Sequence, residues 1–220
     1  MSKTAEKKIG NRPLILRWIA ALFARELTVE DVESYRTGEG RELFTVITQD
    51  VPDAVELETM RRVLTGPQSS EDVALDLAAA FSWLFHGVGG PKAAPTHWHD
   101  WSEASDGSQM ACIETCAALM ARCGLGPALD SDESADHVSV QLEFLSYLET
   151  QMALEPDGPW LGYRDRLVSD QLNAWFPHFL RACEQNDRSG FYAALAGLTR
   201  RVMPDGFTGT PNSTQAADAA

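Results

Sequence analysis

The sequence predicts an all-α protein that folds as a compact bundle of about eight or nine helices. In most segments apolar residues recur three and four positions apart, and no segment alternates as a secure strand would. Residues typical of helix ends, chiefly Ser, Thr, Gly and Pro, separate these segments. The 220 residues are 44% apolar and 23% charged, which is enough apolar material to bury a core.

The first two helices have clear local signals. A wide apolar stripe near the N-terminus favours a helix that faces the core. Thr28 and Asp31 have the spacing of a capping box, in which each side chain accepts a hydrogen bond from a free amide at a helix start, so a second helix should begin there. The stripe of the first helix comprises Leu14, Ile15, Trp18, Ile19, Leu22 and Phe23.

The segment after the second helix is ambiguous. Gly38 and Gly40 are expected to end that helix. The run 43–51 neither alternates cleanly nor repeats at helical spacing, so it fits a short helix or a strand, and we interpret it as a helix. Residues 54–64 predict another short helix, which ends before Gly66–Pro67 because the proline cannot continue it.

A buried helix should follow Ser69 or Ser70, either of which can cap it. The next segment, 87–103, has no helical period and contains several Gly and Pro residues, which predicts a loop. The apolar row of the helix is Val73, Leu77, Phe81 and Phe85, with Leu84 alongside.

The second half of the chain predicts four more helices. An irregular link at 124–134 should separate the first two, and Pro177 should bend or split the third. The small, polar residues at 206–220 predict a disordered tail. The four helices cover approximately 106–123, 136–152, 161–183 and 191–202.

Three of the four cysteines lie on one face of a predicted helix, at Cys112, Cys116 and Cys123. Three thiols spread over more than two turns of a rigid helix cannot all approach one ion to about 2.3 Å. We therefore expect them to be small buried apolar residues. With Cys183, they are compatible with reduced thiols in the cytoplasm.

The charge balance constrains the partners. There are 32 acidic and 18 basic residues, a formal net charge of -14, which disfavours nucleic acid and favours a basic partner. No stretch of about 18 apolar residues is present, and the polar N-terminus lacks the apolar segment of a secretory leader, so we expect a cytoplasmic protein that does not insert into a membrane.

Two groups of polar residues are candidate sites. His97 and His99, beside Asp100, could belong to a metal-dependent hydrolase, although no HExxH or GxSxG motif accompanies them. Asp136 and His137 begin a predicted helix. The helix dipole favours an aspartate in the first turn but disfavours a charged histidine there. Either side chain could instead face a ligand.

The segment ADHVSVQLEFLSYL resembles the signature of the TorD and DmsD redox-enzyme maturation proteins. In that family a Glu-Pro-x-Asp-His hinge opens a helix; here the corresponding residues are Glu133, Ser134, Ala135, Asp136 and His137, so Ser134 replaces the proline. The segments LRWIAALFARELT, LDLAAAFSWLF and NDRSGFYAALAGLT agree in order, and the resemblance covers most of 14–203, closest to TorD. The APTHW loop departs from the family's Pro-Tyr-x-Ser form.

This resemblance implies a non-catalytic cytoplasmic chaperone. It would bind the twin-arginine leader and apo form of a molybdenum-cofactor reductase, for trimethylamine N-oxide or dimethyl sulfoxide, and assist cofactor insertion before export. It implies no cofactor beyond weak binding of GTP near the hinge, and a GTP-binding regulatory protein is therefore an alternative. It also implies a monomer or a domain-swapped homodimer. The expected division is an N-terminal lobe at 1–130, a hinge at 131–137, a C-terminal lobe at 138–205 and the tail.

The resemblance and the chemistry of the leader together give candidate binding residues. Two leader arginines need carboxylates beside an apolar groove. Asp136 is the candidate acid and Glu143 a weaker one, while Phe85 is expected in the core. The leader-binding or hinge candidates are Asp136, His137, Glu133, Glu143, Trp83, Leu84 and Trp98.

Overall fold

The computed structural model describes residues 10–102, 108–126 and 133–208. Over these residues the chain is all-α, with nine helices and no strand. Short 3₁₀ turns occur at Gly90–Lys92 and Trp98–Trp101. The helices are α1 (Arg12–Ala24), α2 (Val29–Thr37), α3 (Glu39–Asp50), α4 (Val55–Leu64), α5 (Ser70–Phe85), α6 (Ser108–Arg122), α7 (Val138–Leu154), α8 (the consecutive segments Trp160–Arg166, Leu167–Leu172 and Asn173–Asn186) and α9 (Phe191–Val202).

Local capping signals position the early helices as the sequence predicts. The hydroxyl of Thr28 accepts a hydrogen bond from the Asp31 amide, and the Asp31 carboxylate accepts one from the Thr28 amide. Ser69 caps α5 by accepting a hydrogen bond from the Asp72 amide. These side chains satisfy amides that a helix start would otherwise leave without partners.

The ambiguous run 43–51 is helical, as interpreted, and lies mostly in α3. Gly38 separates α2 from α3, but the expected break at Gly40 is wrong because this residue lies inside α3. A side chain at Gly40 would come within 2.6 Å of the Tyr35 ring. Glycine is therefore needed at this position for the close approach of α2 and α3.

The stripe of α1 is confirmed with one correction. Leu14 is 44% exposed, whereas the other five members of the stripe are buried. Helix α1 packs against α7, and the burial of the other five residues places Leu14 at the solvent edge of the stripe.

The third predicted helix of the second half is α8, and Pro177 does not split it. The segment Leu167–Leu172 of α8 is instead π-helical, and the α-helix that follows continues through the proline. Because proline has no amide hydrogen, the α-helical bond to the Asn173 carbonyl is missing. The local irregularity of this helix therefore begins before the proline.

One continuous apolar core connects residues from both sides of the predicted hinge. Helix α1 packs along α7, and α9 packs on α4 and α8. The division into two lobes and the domain swap stay predictions. None of the helices in the described ranges is long and apolar enough to cross a membrane.

The cysteine row is buried as predicted, with Cys123 only partly so. A chain of side-chain hydrogen bonds joins three helices through it: Trp175 Nε1 donates to Gln141 Oε1 (3.2 Å), and Gln141 Nε2 donates to Cys116 Sγ (2.9 Å). Burial is the main cause that raises the pKa of the Cys116 thiol to about 12. This thiol is therefore a packing group at neutral pH.

The predicted disorder of the tail is wrong for its first residues. The Asn173 side chain donates to the Gly206 carbonyl (2.8 Å) and accepts from the Thr208 amide (3.0 Å). The Phe207 ring lies against Phe176. These contacts hold 206–208 on α8, and the rest of the predicted tail lies outside the described residues.

Candidate functional site

The predicted hinge is tied to the loop that follows α5. The Trp98 amide donates to the Asp136 carbonyl (3.1 Å), and the Val138 amide donates to the Thr96 carbonyl (2.8 Å). These two bonds form an isolated antiparallel bridge between His97 and His137. We call residues 95–102 and 133–139 the loop–helix joint. The joint brings together side chains that are almost 40 positions apart in the sequence.

Asp136 is fully buried at the centre of this joint. Its carboxylate accepts hydrogen bonds from the His99 amide (3.2 Å) and the Ser134 hydroxyl (2.5 Å), and His99 Nδ1 lies 2.6 Å away. Burial acts to raise the pKa of Asp136, but the bonds from Ser134 and His99 outweigh it and lower this pKa. The expectation of a first-turn carboxylate is wrong, since Asp136 precedes α7 and binds the loop instead.

His137 is the N-cap of α7. Its Nδ1 accepts a hydrogen bond from the Ser139 amide (3.2 Å) and lies 2.7 Å from the Ser139 hydroxyl. Burial is the main cause that lowers the pKa of His137 to about 4, and His97 adds to it. The ring is therefore neutral at neutral pH, which removes the conflict with the helix dipole.

His97 lies between two partly exposed carboxylates. Its Nε2 is 3.7 Å from Glu133 Oε2, and its Nδ1 is 4.0 Å from Asp100 Oδ2. The Glu133 side chain is 43% exposed and that of Asp100 is 40% exposed. His137 Nε2 also lies 3.7 Å from Glu133 Oε2. The accessible acids of the joint are thus Glu133 and Asp100.

The hydrolase alternative grouped His97 and His99 with Asp100, and a nitrogen of each ring lies within 4.0 Å of an Asp100 carboxylate oxygen. His99 Nδ1 also lies 2.6 Å from the carboxylate of the buried Asp136. The histidine that shares Glu133 with His97 is His137. Spacing along the chain does not predict this second pair, because it joins a loop to a distant helix start.

A groove of about 840 Å³ lies between α4, α5 and the connection from α8 to α9. Trp83 forms part of its wall, and the Arg188 guanidinium stacks over the Trp83 ring, 3.2 Å from the ring centroid. Arg62 and Asp76 also border it. The apolar side chains of the groove are Val63, Pro67, Val73, Leu77, Ala79, Ala80, Trp83 and Val88.

The structure distributes the remaining predicted residues over different places. Leu84 is completely buried in the core, so the expectation that it lines a groove is wrong; Phe85 is buried, as expected. Trp98 is half-buried against the core. Glu143 is exposed on α7. Only Trp83 lies in the groove, while Glu133, Asp136, His137 and Trp98 belong to the joint.

Sequence reasoning missed Arg62 and Arg188 at the groove. The two arginines come from segments more than a hundred residues apart; Arg188 lies in the family segment NDRSGFYAALAGLT, which does not indicate what it contacts. The only available signal was the predicted burial of α5 with its tryptophan turned off the apolar row. Packing of distant elements therefore determines this surface.

The chain is similar to a known protein family over most of its length. A family model described as "Nitrate reductase delta subunit" matches residues 48–181. A "Chaperone protein TorD" of Photobacterium profundum is 31% identical, over 85% of this chain and 88% of the relative. Relatives of the same name from Aliivibrio salmonicida and Escherichia coli O81 are 28% and 27% identical, covering 84% and 86% of this chain and 87% and 91% of their own lengths.

These matches and the all-α architecture define a class, that of helical chaperones. The chain belongs to the TorD family within it. Its hinge motif, read from Glu133 to His137, forms the loop–helix joint. The weak GTP binding that the resemblance implied stays a prediction.

Proposed function

We propose that the protein is a cytoplasmic chaperone that binds the twin-arginine leader and apo form of a molybdenum-cofactor reductase, for trimethylamine N-oxide or dimethyl sulfoxide. It would hold the reductase before export while the cofactor is inserted. The observation that carries the proposal is the groove around Trp83, an apolar surface on a TorD-family chain with a net charge of -14. A leader combines an apolar run with two cations, so its receptor needs both properties.

The groove fits the apolar run of the leader. At about 840 Å³ it has room for several side chains, and its walls come from helices α4 and α5. An apolar helical segment binds such a groove by burying side chains on one face. Trp83 is the largest apolar side chain of the groove, and tryptophan is among the residue types that often dominate binding energy.

The leader arginines are expected outside the groove. Arg62 and Arg188 border the groove and would repel them. Glu133 and Asp100 flank His97 at the joint, and both carboxylates are accessible to a guanidinium. Glu143 lies six residues after His137, about 9 Å further along α7, and offers a further acid.

Asp136 and His137 have a positioning role in this proposal. Asp136 is fully buried and hydrogen-bonded, so its carboxylate cannot meet a leader while the joint is closed. By holding the loop against α7, these two residues fix the positions of Asp100 and Glu133. The connection from Val88 in the groove to His97 in the joint then supplies a path along which one leader could contact both surfaces.

Calorimetric titration with a reductase leader peptide tests the proposal, beside a peptide in which both arginines are replaced by glutamine. We expect binding that weakens with added salt, with loss of the arginines and with Glu133→Gln or Trp83→Ala. The controls are Glu114→Gln on α6 and Trp160→Ala on α8, which lie outside both surfaces. Failure of the folded protein to bind the leader or the intact apo-reductase would overturn the proposal.

A further inference from the structure

We infer that His97, Glu133 and His137 form a binding site for a divalent transition-metal ion of the zinc type. One ligand atom from each of the three residues lies within 4.8 Å of the other two. Glu133 Oε2 is 3.7 Å from His97 Nε2 and 3.7 Å from His137 Nε2. Two imidazole nitrogens and one carboxylate oxygen are a ligand set that zinc accepts in proteins. The site goes beyond the proposed chaperone function, although it shares Glu133 with it.

The distances between the ligand atoms suit a tetrahedral ion. Bonds of about 2.0–2.2 Å place tetrahedral ligands about 3.3–3.6 Å apart. Glu133 Oε2 is already 3.7 Å from each histidine nitrogen. The partly exposed side chains of His97 and Glu133 can rotate to close the remaining gap, whereas the buried His137 ring is fixed.

The surroundings of His137 suit coordination through Nε2. A metal-bound histidine usually donates its other ring N–H to an oxygen. The Ser139 hydroxyl oxygen lies 2.7 Å from His137 Nδ1 and is placed to accept such a bond. Metal binding would therefore move the neutral ring's single proton from Nε2 to Nδ1. His137 Nδ1 would then no longer accept the capping hydrogen bond from the Ser139 amide and would instead donate one to the Ser139 hydroxyl.

The bound ion would join the loop after α5 to the start of α7. His97 comes from the loop, while Glu133 and His137 come from the hinge segment. Three protein ligands leave one tetrahedral position for water or for a donor from another molecule. The ion would thus reinforce the bridge between His97 and His137 at its solvent-exposed end.

Titration of the chelator-treated full-length protein with zinc chloride tests the site, with magnesium chloride as the comparison ion. We expect one zinc ion per chain, and His97→Ala and Glu133→Gln should each weaken binding more than about ten-fold. His97 and Glu133 are partly exposed, so both variants should fold. The matched controls His86→Ala and Glu114→Gln remove an exposed histidine and glutamate elsewhere and should bind zinc as the parent does.

Cobalt substitution identifies the ligands. Tetrahedral coordination by nitrogen and oxygen should give visible cobalt bands without a thiolate charge-transfer band. Such a charge-transfer band would assign the ion to the cysteines of α6 and overturn the inference. Absence of stoichiometric zinc binding by the folded protein, or equal binding by the parent and both site variants, would also overturn it. No peptide is present, so these results do not depend on leader binding.

Discussion

Asp136 stabilises the protein through charge-assisted hydrogen bonds rather than through surface charge. The carboxylate accepts from the His99 amide and the Ser134 hydroxyl and pairs with His99 Nδ1 in a fully buried environment. We expect Asp136→Asn to lower the free energy of unfolding by about 2–3 kcal/mol, because its neutral amide cannot replace all of these bonds. Urea denaturation at neutral pH measures the change.

The control for Asp136 is Asp100→Asn, which removes a partly exposed carboxylate of the same joint. Exposed charges contribute little, so this variant should stay within about 0.5 kcal/mol of the parent. Equal losses in the two variants would show that the buried bonds of Asp136 are not what holds the loop.

The His137 ring should make stability depend on pH. Its pKa is lowered from 6.5 to about 4 in the folded protein, so the unfolded chain binds a proton more readily. Stability should therefore rise with pH between about 4 and 6.5, by on the order of 3 kcal/mol from this group. The pKa of Asp136 is lowered from 3.8, so its contribution is lost only at lower pH.

His137→Asn tests this dependence because asparagine also caps helices well. In metal-free buffer, the variant should keep most of its stability at pH 7 and lose this part of the slope between pH 4 and 6.5. Denaturant unfolding over the pH series, compared with the parent, isolates the contribution of His137 from that of His178, whose pKa is also lowered. An unchanged slope would contradict the prediction.

At the scale of elements, sequence predicts best where the signal is local. The caps at Thr28 and Ser69 need only a side chain and an amide three residues later, and both occur. Leu14 was misplaced since the burial of a helix edge depends on what packs against it. The π-helical segment before Pro177 was not predicted. Over a single turn, the spacing of apolar residues does not distinguish hydrogen bonds between residues five apart from those between residues four apart.

The candidate site was only partly predictable from the sequence. The hinge motif located Glu133, Asp136 and His137, but not that Asp136 would be buried against His99. That outcome depends on the loop after α5 folding back onto the start of α7. The groove depends even more on long-range packing, since α4, α5 and the segment after α8 form it together.

A nearly buried ion group links three helices. The Glu149 carboxylate of α7 lies 3.4 Å from the Arg12 guanidinium of α1 and 3.6 Å from that of Arg164 in α8. Glu149→Ala should cost about 3 kcal/mol, because it removes the anion that the two nearly buried arginines share, while Arg164 keeps its ion pair with Asp165 (2.8 Å). Chemical denaturation measures the loss. The control is Glu143→Ala on the exposed side of the same helix, which should change stability by about 0.5 kcal/mol at most.

At the scale of the whole molecule, the acidic charge and the single core have separate consequences. A net charge of -14 would attract the basic leader of the proposed function over a distance set by the salt concentration. The core, continuous between α1 and α7, holds the joint and the groove in one framework. Binding at the joint can therefore affect a leader that also occupies the groove.

Zinc should compete with the leader because both proposals use the Glu133 carboxylate. An oxygen that coordinates an ion cannot also accept hydrogen bonds from a guanidinium at full strength, and the bound cation would repel the arginines. We expect saturating zinc to weaken leader binding to the parent protein by about ten-fold or more, the equivalent of about 1.4 kcal/mol. Calorimetric titration with the leader, in the presence and absence of zinc, measures the change.

His97→Ala separates competition at Glu133 from other effects of zinc. This variant should lose the metal site but keep the Glu133 carboxylate, so it should bind the leader with or without zinc at similar affinity. If zinc weakens binding equally in the variant and the parent, the ion acts on the peptide or elsewhere on the protein. If zinc binds the parent stoichiometrically without affecting the leader, the arginines do not use Glu133, and Asp100 and Glu143 become the acids to test.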